Sequence, residues 1–170
     1  MVPDASVLSD RASNRLRQYI DDGGNVFMAV GQQPHSADTI SLLGMKSPAA
    51  NNSSVVNQTS VNLNETGNSI GNEVGFIDAT HQSTDDLVNN WRAISVLRHL
   101  PLQKKVTDRR IIDLTNGDPL LMEKRMGSGK LLLLATALNT AWTNLPVESV
   151  FVAFVLQSIC LLYTSPSPRD

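Results

Sequence analysis

Residues 120–136, LLMEKRMGSGKLLLLAT, decide the fold of this chain. Two apolar runs, 120–125 and 130–136, are separated by a turn that contains Gly127 and Gly129. Glycine adopts positive φ without strain, so this spacing predicts an antiparallel hairpin in which both glycines are free to take that conformation. The second run is apolar at successive positions, which is typical of a strand buried on both faces in the centre of a sheet.

The segment after the hairpin predicts a packed helix. Pro146 favours a helix start, because its fixed φ suits the first turn, and the helix is expected over 147–159. Asn144 is expected to cap this helix. Trp142, with a large apolar body and a polar edge, is expected at the seam between the helix and the sheet. The apolar run 150–159 is too short to span a membrane, which takes about 20 residues.

The N-terminal part predicts half of a β-α-β unit. Residues 9–22 carry apolar side chains at helical spacing, Ser9 or Asp10 can cap the start, and Gly23-Gly24 ends the helix. A buried strand over 26–30 follows at once. A preceding strand is missing, so we expect a domain truncated at its N-terminal end. Weaker patterns predict a short helix over 37–45, a helical or turn segment over 84–90, and strands over 59–63, 74–78 and 93–100. A clearer pattern predicts a strand over 110–114 and a turn at 116–118. The fold class predicted from these elements is α/β, with the antiparallel hairpin late in the sheet.

Two segments differ from the rest of the chain. Residues 47–72 are rich in Asn, Ser and Thr and predict a long polar loop. Residues 160–170, CLLYTSPSPRD, resemble the in-frame translation of a transposase-type sequencing adapter. The genuine domain is therefore expected to cover 1–159 and to be truncated at its C-terminal end. The tail at 160–170 is expected to have no stable packing.

Composition argues against several functional classes. The formal net charge is -2, and this near-neutral balance offers no electrostatic attraction for nucleic acid or an anionic membrane. The single cysteine, Cys160, lies in the tail, so 1–159 lacks a thiol for catalysis, disulfides or zinc. The histidines, His35, His81 and His99, show no spacing typical of metal ligands, and His99 is expected to pack at a strand end. No cofactor or metal is predicted.

Two short motifs match the residue patterns of known sites but lack the flanking structure that those sites need. Gly127-Ser-Gly-Lys130 resembles part of a phosphate-binding loop, but a strand follows it instead of the helix whose N-terminus would hold phosphate. Residues 67–71, GNSIG, match the pattern of a nucleophile elbow around Ser69. An elbow needs a buried strand before it and a helix after it, whereas Ser69 lies in the polar loop. A hairpin turn and an ordinary loop are the simpler interpretations.

One position is favourable for a pocket. Gly31, Gln32 and Gln33 follow the carboxyl end of the predicted strand 26–30, and open α/β sheets bind ligands at that edge. His81 lies three residues after Asp78, which ends another predicted strand. A histidine at this position could gain or lose a proton near neutral pH. These residues form the candidate pocket, with a connecting loop as the alternative.

Two blocks of sequence resemble a known family. One is the opening, from Val2-Pro3 to Gly31; the other comprises 116–136 and Ala141-Trp-Thr-Asn144-Leu-Pro146. Together they resemble the class I glutamine-amidotransferase-like domain of BatA-type bacterial membrane proteins, the aerotolerance regulators. The resemblance implies a flavodoxin-like three-layer sheet. It also implies a protein with membrane helices and often a von Willebrand A-like domain. Catalytic members of the wider fold use a cysteine nucleophile, which 1–159 lacks.

The function implied is that of a non-catalytic interaction or ligand-sensing module in a membrane-tethered envelope protein. The fragment itself is expected to be soluble, with a parent protein in the bacterial inner membrane and protein partners in an envelope complex. The membrane would be reached only through segments outside this chain. Two alternatives stay open: a hydrolase or amidotransferase relative that uses Ser69 or His81, and a carbohydrate-associated domain.

Overall fold

A computed structural model describes residues 8–30, 56–60, 91, 93–102 and 108–163 of the chain. Two helices, α1 and α2, and six strands, β1 to β6, follow one another in this part, as predicted for an α/β protein. In chain order they are α1 (Asp10–Asp21), β1 (Asn25–Ala29), β2 (Val56–Ser60), β3 (Ser95–His99), β4 (Arg109–Asp113), β5 (Pro119–Met126), β6 (Gly129–Leu134), a 3-10 turn (Leu145–Val147) and α2 (Val150–Tyr163).

The main sheet has four strands in the order β1-β6-β5-β4. β1 runs parallel to β6, with Val26 opposite Leu131, whereas the pairs β6–β5 and β5–β4 are antiparallel. The predicted hairpin is confirmed: β5 and β6 pair from Leu121–Leu134 to Met126–Gly129 around the turn. β2 and β3 form a separate two-stranded antiparallel sheet. The sheet is therefore mixed, with one parallel pair.

The two glycines of the hairpin serve different purposes. Both glycines were expected to be free to take positive φ; Gly127 does so, with a φ of 54°, whereas Gly129 does not. A Cβ at Gly129 would collide with the backbone oxygens of Ile20 and Gly24. Gly129 is needed because the hairpin lies directly against the C-terminal end of α1, where Ser128 N–H also donates to Asp21 O at 3.2 Å.

Each face of the main sheet is covered by its own apolar cluster. On one face, Val26, Met28, Leu131 and Leu133 pack with Ile20 of α1. On the other, alternate residues of the same strands pack with α2; they include Phe27, Ala29, Leu132, Leu134 and Phe154. Successive side chains of a strand point to opposite faces, so the apolar run of β6 fills both clusters. This confirms the prediction that β6 is a central strand.

The predicted N-terminal helix and strand are present. Ser9 caps α1, its Oγ accepting from Ala12 N–H at 3.4 Å. Gly23, with a φ of 107°, ends the helix, and β1 starts at Asn25. Tyr19, which helical spacing groups with the apolar residues of α1, is instead exposed, and its ring lies over Gly24.

The C-terminal helix differs from the prediction at both ends. Pro146 lies in the 3-10 turn, and α2 begins only at Val150. The helix also continues through Cys160 to Tyr163, with Leu161 and Leu162 buried in the α2-side cluster. The expectation that the tail lacks packing is therefore wrong for 160–163, because apolar side chains continue the helical spacing of Phe154 there. Residues 164–170 lie outside the described residues, and the adapter origin stays a prediction.

Asn144 and Trp142 also take other roles than expected. Asn144 makes no capping hydrogen bond; its side chain bonds to the backbone at the start of β3 instead. Trp142 is buried in the cluster on the α1 side of the sheet, on the face away from α2. Bends and turns separate Trp142 from the end of β6, and the apolar pattern did not reveal them.

The remaining strands agree with the prediction to within a few residues. The pattern over 110–114 corresponds to β4, that over 93–100 to β3, and that over 59–63 to β2, which starts three residues earlier at Val56. β2 lies within the predicted polar loop. The elements predicted over 37–45, 74–78 and 84–90 lie outside the described residues. Within the described part, neither helix is long and apolar enough to cross a membrane.

Candidate functional site

The candidate site lies where the parallel strands β1 and β6 end. Three backbone hydrogen bonds hold four chain segments together there. Val30 N–H donates to Leu134 O at 3.0 Å and Ala135 N–H to Leu120 O at 2.8 Å. Leu100 N–H, just after β3, donates to Ala135 O at 2.8 Å. The end of β3 is therefore held against the carboxyl edge of the main sheet, the edge at which α/β sheets bind ligands.

A histidine and an aspartate meet at this edge. Nε2 of His99 lies 2.8 Å from Oδ2 of Asp118. The His99 side chain is 0% exposed and the Asp118 side chain 33% exposed. Since an ionised carboxylate only accepts hydrogen bonds, Nε2 carries the proton and donates it to Asp118. Nδ1 is then the ring nitrogen that a general base would use.

A tight turn holds Asp118 in place. Leu114 N–H donates to Asp118 O at 2.8 Å, and Gly117, with a φ of 86°, allows the chain to reverse. Asn116 bonds to Asp118 twice: Nδ2 donates to Oδ2 at 2.9 Å, and Oδ1 accepts from Asp118 N–H at 3.0 Å. Arg110 donates to Gly117 O. The turn predicted at 116–118 is thus confirmed, and it fixes the carboxylate that His99 contacts.

Two buried hydroxyl groups that follow β6 bond to the backbone of β3, Thr136 near its His99 end and Thr143 at its Ser95 end. Thr136 Oγ1 donates to Arg98 O at 2.8 Å, and Thr143 Oγ1 donates to Ser95 O at 3.0 Å. Both side chains are buried. A hydroxyl that donates to a carbonyl is not positioned to give its proton to His99. The two threonines therefore fasten β3 to the segment that follows β6.

Two buried nitrogen atoms close to this network have no hydrogen-bond partner in the described part. They are His99 Nδ1 and Trp142 Nε1. Trp142 is joined to the same strand, because its carbonyl oxygen accepts from Leu97 N–H at 2.7 Å and Arg98 N–H at 3.1 Å. A buried polar atom without a partner costs about 1–3 kcal/mol, and such atoms call for a structural or functional explanation.

The sequence predicted other residues for the site. Gly31, Gln32, Gln33 and His81 all lie outside the described residues, as do Ser69 and His35. Val30, the residue before Gly31, is placed at the predicted edge. His99 was expected only to pack at a strand end, which it does, and its contact with Asp118 was missed. The sequence offered one indication of this contact: His99 ends a predicted strand, and Asp118 follows Gly117 in a turn.

A separate cavity of about 270 Å³ lies at the opposite end of β1, beneath α2. It is lined mainly by apolar side chains; the lining residues include Asn25, Phe27, Val155, Ser158 and Ile159. The two polar ones are occupied: Asn25 Nδ2 donates to Leu162 O at 2.8 Å, and Ser158 Oγ donates to Phe154 O at 2.8 Å. The cavity therefore offers apolar contact and little chemistry.

Metal chemistry finds no support in the described part of the chain. Nowhere in it do three or more His, Cys, Asp or Glu side chains come together as metal ligands would. Asn116 and Asp118 supply oxygen atoms beside His99, but they bond to one another and to the turn. The arrangement is thus suited to holding a histidine, and no cofactor is implied by it.

Comparison with known proteins supports the fold alone. No protein-family model matches the sequence, and no curated protein matches it either. The cytoplasmic protein STM3548 from Salmonella typhimurium is similar in structure, with a TM-score of 0.64 at 11% identity over 91% of this chain. The cytoplasmic protein STM1381 from the same organism gives a TM-score of 0.62 at 15% identity over 90% of this chain. The chain spans 61% of the length of each.

Two glycosidases are less similar. They are an exo-beta-1,4-mannosidase from an Opitutaceae bacterium, with a TM-score of 0.47 at 8% identity, and a beta-galactosidase from Bacillus circulans, with a TM-score of 0.48 at 10% identity. The present chain covers 25% and 21% of those enzymes. Similarity at this level bears on neither fold nor function.

Proposed function

We propose that this chain is a non-catalytic α/β domain that binds a ligand or a protein partner at the carboxyl edge of its main sheet. The proposal includes the flavodoxin-like layering and the glutamine-amidotransferase-like relationship that the sequence suggests. The parent would be a membrane-tethered protein of the bacterial inner membrane, with protein partners in an envelope complex.

The observation that carries the proposal is the pairing around His99. Acyl transfer needs a hydroxyl or thiol within hydrogen-bond reach of a base, which is in turn oriented by a third group. In the described residues, the base and its orienting carboxylate are His99 and Asp118. The hydroxyl of Thr136, beside the end of β3, donates to Arg98 O. Because this hydroxyl is engaged with the backbone, we favour binding over acyl transfer at this edge.

A serine-directed fluorophosphonate probe tests this proposal on the full-length protein. We expect no labelling above that of heat-denatured protein. Ser69→Ala is the matched variant, because Ser69 is the residue that fits the elbow pattern. Labelling of the native protein that disappears in Ser69→Ala would overturn the proposal in favour of a hydrolase.

The rival enzymatic function retains one specific observation, the buried Nδ1 of His99, which has no hydrogen-bond partner in the described part and has a carboxylate behind its ring. A substrate or a residue outside the described part would have to bring the reacting group to that nitrogen. His99→Gln separates the two functions, since it preserves a polar side chain but removes the base. Any hydrolytic activity of the parent protein that this substitution abolishes would favour the enzyme.

The membrane-tethered parent is tested by the gene itself. Extending the coding sequence beyond both ends of this chain should reveal membrane-spanning helices and a von Willebrand A-like domain. Flanks without a membrane segment would contradict the proposed location. Genomic reads that continue past Ile159 with the same peptide would show that 160–170 is native.

A further inference from the structure

The outer face of α2 carries a continuous apolar stripe. Val152, Leu156, Ile159 and Tyr163 are 66%, 58%, 46% and 79% exposed, although the helix packs firmly through its other side. The inner side is formed by Val150, Phe154, Ser158, Leu161 and Leu162. A helix that is apolar all round is normally buried all round, so the stripe lacks the covering its composition calls for.

The spacing of the stripe is that of a helix–helix seam. Its residues are separated by four, three and four positions. Apolar residues alternating at three and four positions form the contact line between paired helices, in which each side chain fits between those of the facing helix. The stripe thus suits another helix better than it suits an extended strand or a flat surface.

The same spacing is unchanged when the helix direction is reversed. If two copies of α2 pair antiparallel about a two-fold axis, Leu156 of one copy meets Ile159 of the other. In that register Val152 meets Tyr163, so all four positions are matched at once. A two-fold interface requires this self-complementarity, since the same patch is presented by both copies.

Charge is also compatible with a second copy. No Asp, Glu, Lys or Arg occurs anywhere in Val150–Tyr163. Two identical faces therefore meet without like-charge repulsion, and a charged partner would find nothing to pair with. Beside the stripe, Ile159 and Tyr163 border the cavity of about 270 Å³ under α2, which offers a hole for a side chain from the facing helix.

From these observations we propose that α2 pairs antiparallel with α2 of a second copy of this chain. Val152, Leu156 and Ile159 precede Cys160, so the centre of the seam does not depend on the origin of 160–170. A helix of this length extends about 21 Å, which gives a contact smaller than the roughly 800 Å² per partner of a typical stable interface. The dimer is therefore weak and depends on protein concentration.

Sedimentation velocity of the whole chain over a range of concentrations tests the pairing. We expect the weight-average mass to rise from monomer towards dimer as concentration increases. Leu156→Lys places a charge in the centre of the seam and should weaken association by about tenfold or more. Gln18→Glu, an exposed charge on α1, is the matched control and should leave association unchanged. Both variants change exposed side chains, and circular dichroism confirms that each is folded.

Cross-linking through the single cysteine tests the orientation. In the antiparallel register, the two Cys160 residues lie about 7.5 Å apart along the helix axis, at 1.5 Å per residue over five positions. A short bismaleimide should therefore join two chains, and Leu156→Lys should abolish the product. A chain that stays monomeric up to about 1 mM overturns the proposal. So does a monomer that instead floats with uncharged lipid vesicles, because the stripe then serves a membrane surface.

Discussion

Nε2 of His99 lies 2.8 Å from Oδ2 of Asp118, although the two residues are 19 positions apart and belong to different sheets or their connecting turns. The histidine is the last residue of β3, in the small sheet, and the aspartate immediately precedes β5 in the main sheet. The contact thus joins the two sheets through side chains, at the edge where β1 and β6 end.

Removing the carboxylate should destabilise the fold. Asp118→Ala leaves both nitrogen atoms of the buried His99 without a partner, and we expect a loss of about 1–3 kcal/mol in the free energy of unfolding. Urea denaturation measures this change. In the double variant His99→Leu with Asp118→Ala, both polar partners are absent, and stability should partly recover. Additive effects of the two substitutions would show that the pair contributes nothing.

Gly129→Ala should be among the most damaging small substitutions in the chain. The added Cβ would meet the backbone oxygens of Ile20 and Gly24, which cannot move without shifting α1 from the hairpin. A loss of about 1–3 kcal/mol is expected from overpacking of this kind. Gly117→Ala is the matched control, since its φ is positive but no atom lies within 4 Å of the new Cβ. Thermal unfolding should show the greater loss for Gly129, and the reverse order would contradict the close approach.

Asn144→Ala should loosen the start of β3. The side chain accepts from Ser95 N–H at 2.7 Å and donates to Ala93 O at 2.9 Å, so two long-range hydrogen bonds are lost. At about 1 kcal/mol for each bond, we expect a loss of roughly 2 kcal/mol and faster hydrogen exchange at the Ser95 amide. Asn139→Ala, which removes one exposed local bond to Ala141, is the control. Unchanged exchange at Ser95 would count against this role.

Phe154→Ala should remove the centre of the α2-side cluster. Its ring lies 6.0 Å from Phe27, 6.2 Å from Trp91 and 6.4 Å from Phe151, measured between ring centroids. Replacing a fully buried phenylalanine costs about 3–5 kcal/mol, so the midpoint of denaturation should fall markedly. Val152→Ala, on the exposed face of the same helix, should cost less than about 0.5 kcal/mol at low protein concentration. Equal effects would place the two residues in similar surroundings.

Shortening the chain tests the packing of the last helical turn. A chain that ends at Ile159 loses Leu161 and Leu162, which are 5% and 8% exposed in the full chain. Burial of each leucine contributes about 1.5–3 kcal/mol, so this chain should unfold at lower denaturant concentration. A chain that ends at Tyr163 keeps both residues and should match the full chain. Equal stability of all three would restore the expectation that the tail does not pack.

Much of the fold follows from local sequence patterns, and the departures have physical causes. The β5–β6 hairpin was predictable because strand periodicity and turn glycines agree there. The sequence suggested positive φ as the reason for a glycine at position 129. The reason is instead the close approach of the Ile20 backbone, which depends on how α1 packs. The extension of α2 beyond Cys160 follows from apolar spacing alone, whatever the origin of those residues. Trp142 was placed on the wrong side because turns intervene between it and β6.

The candidate site was less predictable than the fold. His99 and Asp118 lie in no common motif, and their contact depends on Leu100 being bonded to Ala135 at the end of β6. That arrangement is tertiary and leaves no periodic trace in the sequence. The edge itself was predictable from Val30 and the strand before it, because parallel strands place their carboxyl ends together.

The pairing of β1 with β6 also governs how the protein is made. Asn25 and Lys130, which are bonded across these strands, are 105 residues apart. At synthesis rates of about 5–20 residues per second, β1 leaves the ribosome roughly 5–20 s before its partner is complete. During that interval the apolar side chains of Val26, Phe27 and Met28 lack the neighbour that covers them. Among the strands of the main sheet, β1 therefore waits longest for the strand that pairs with it.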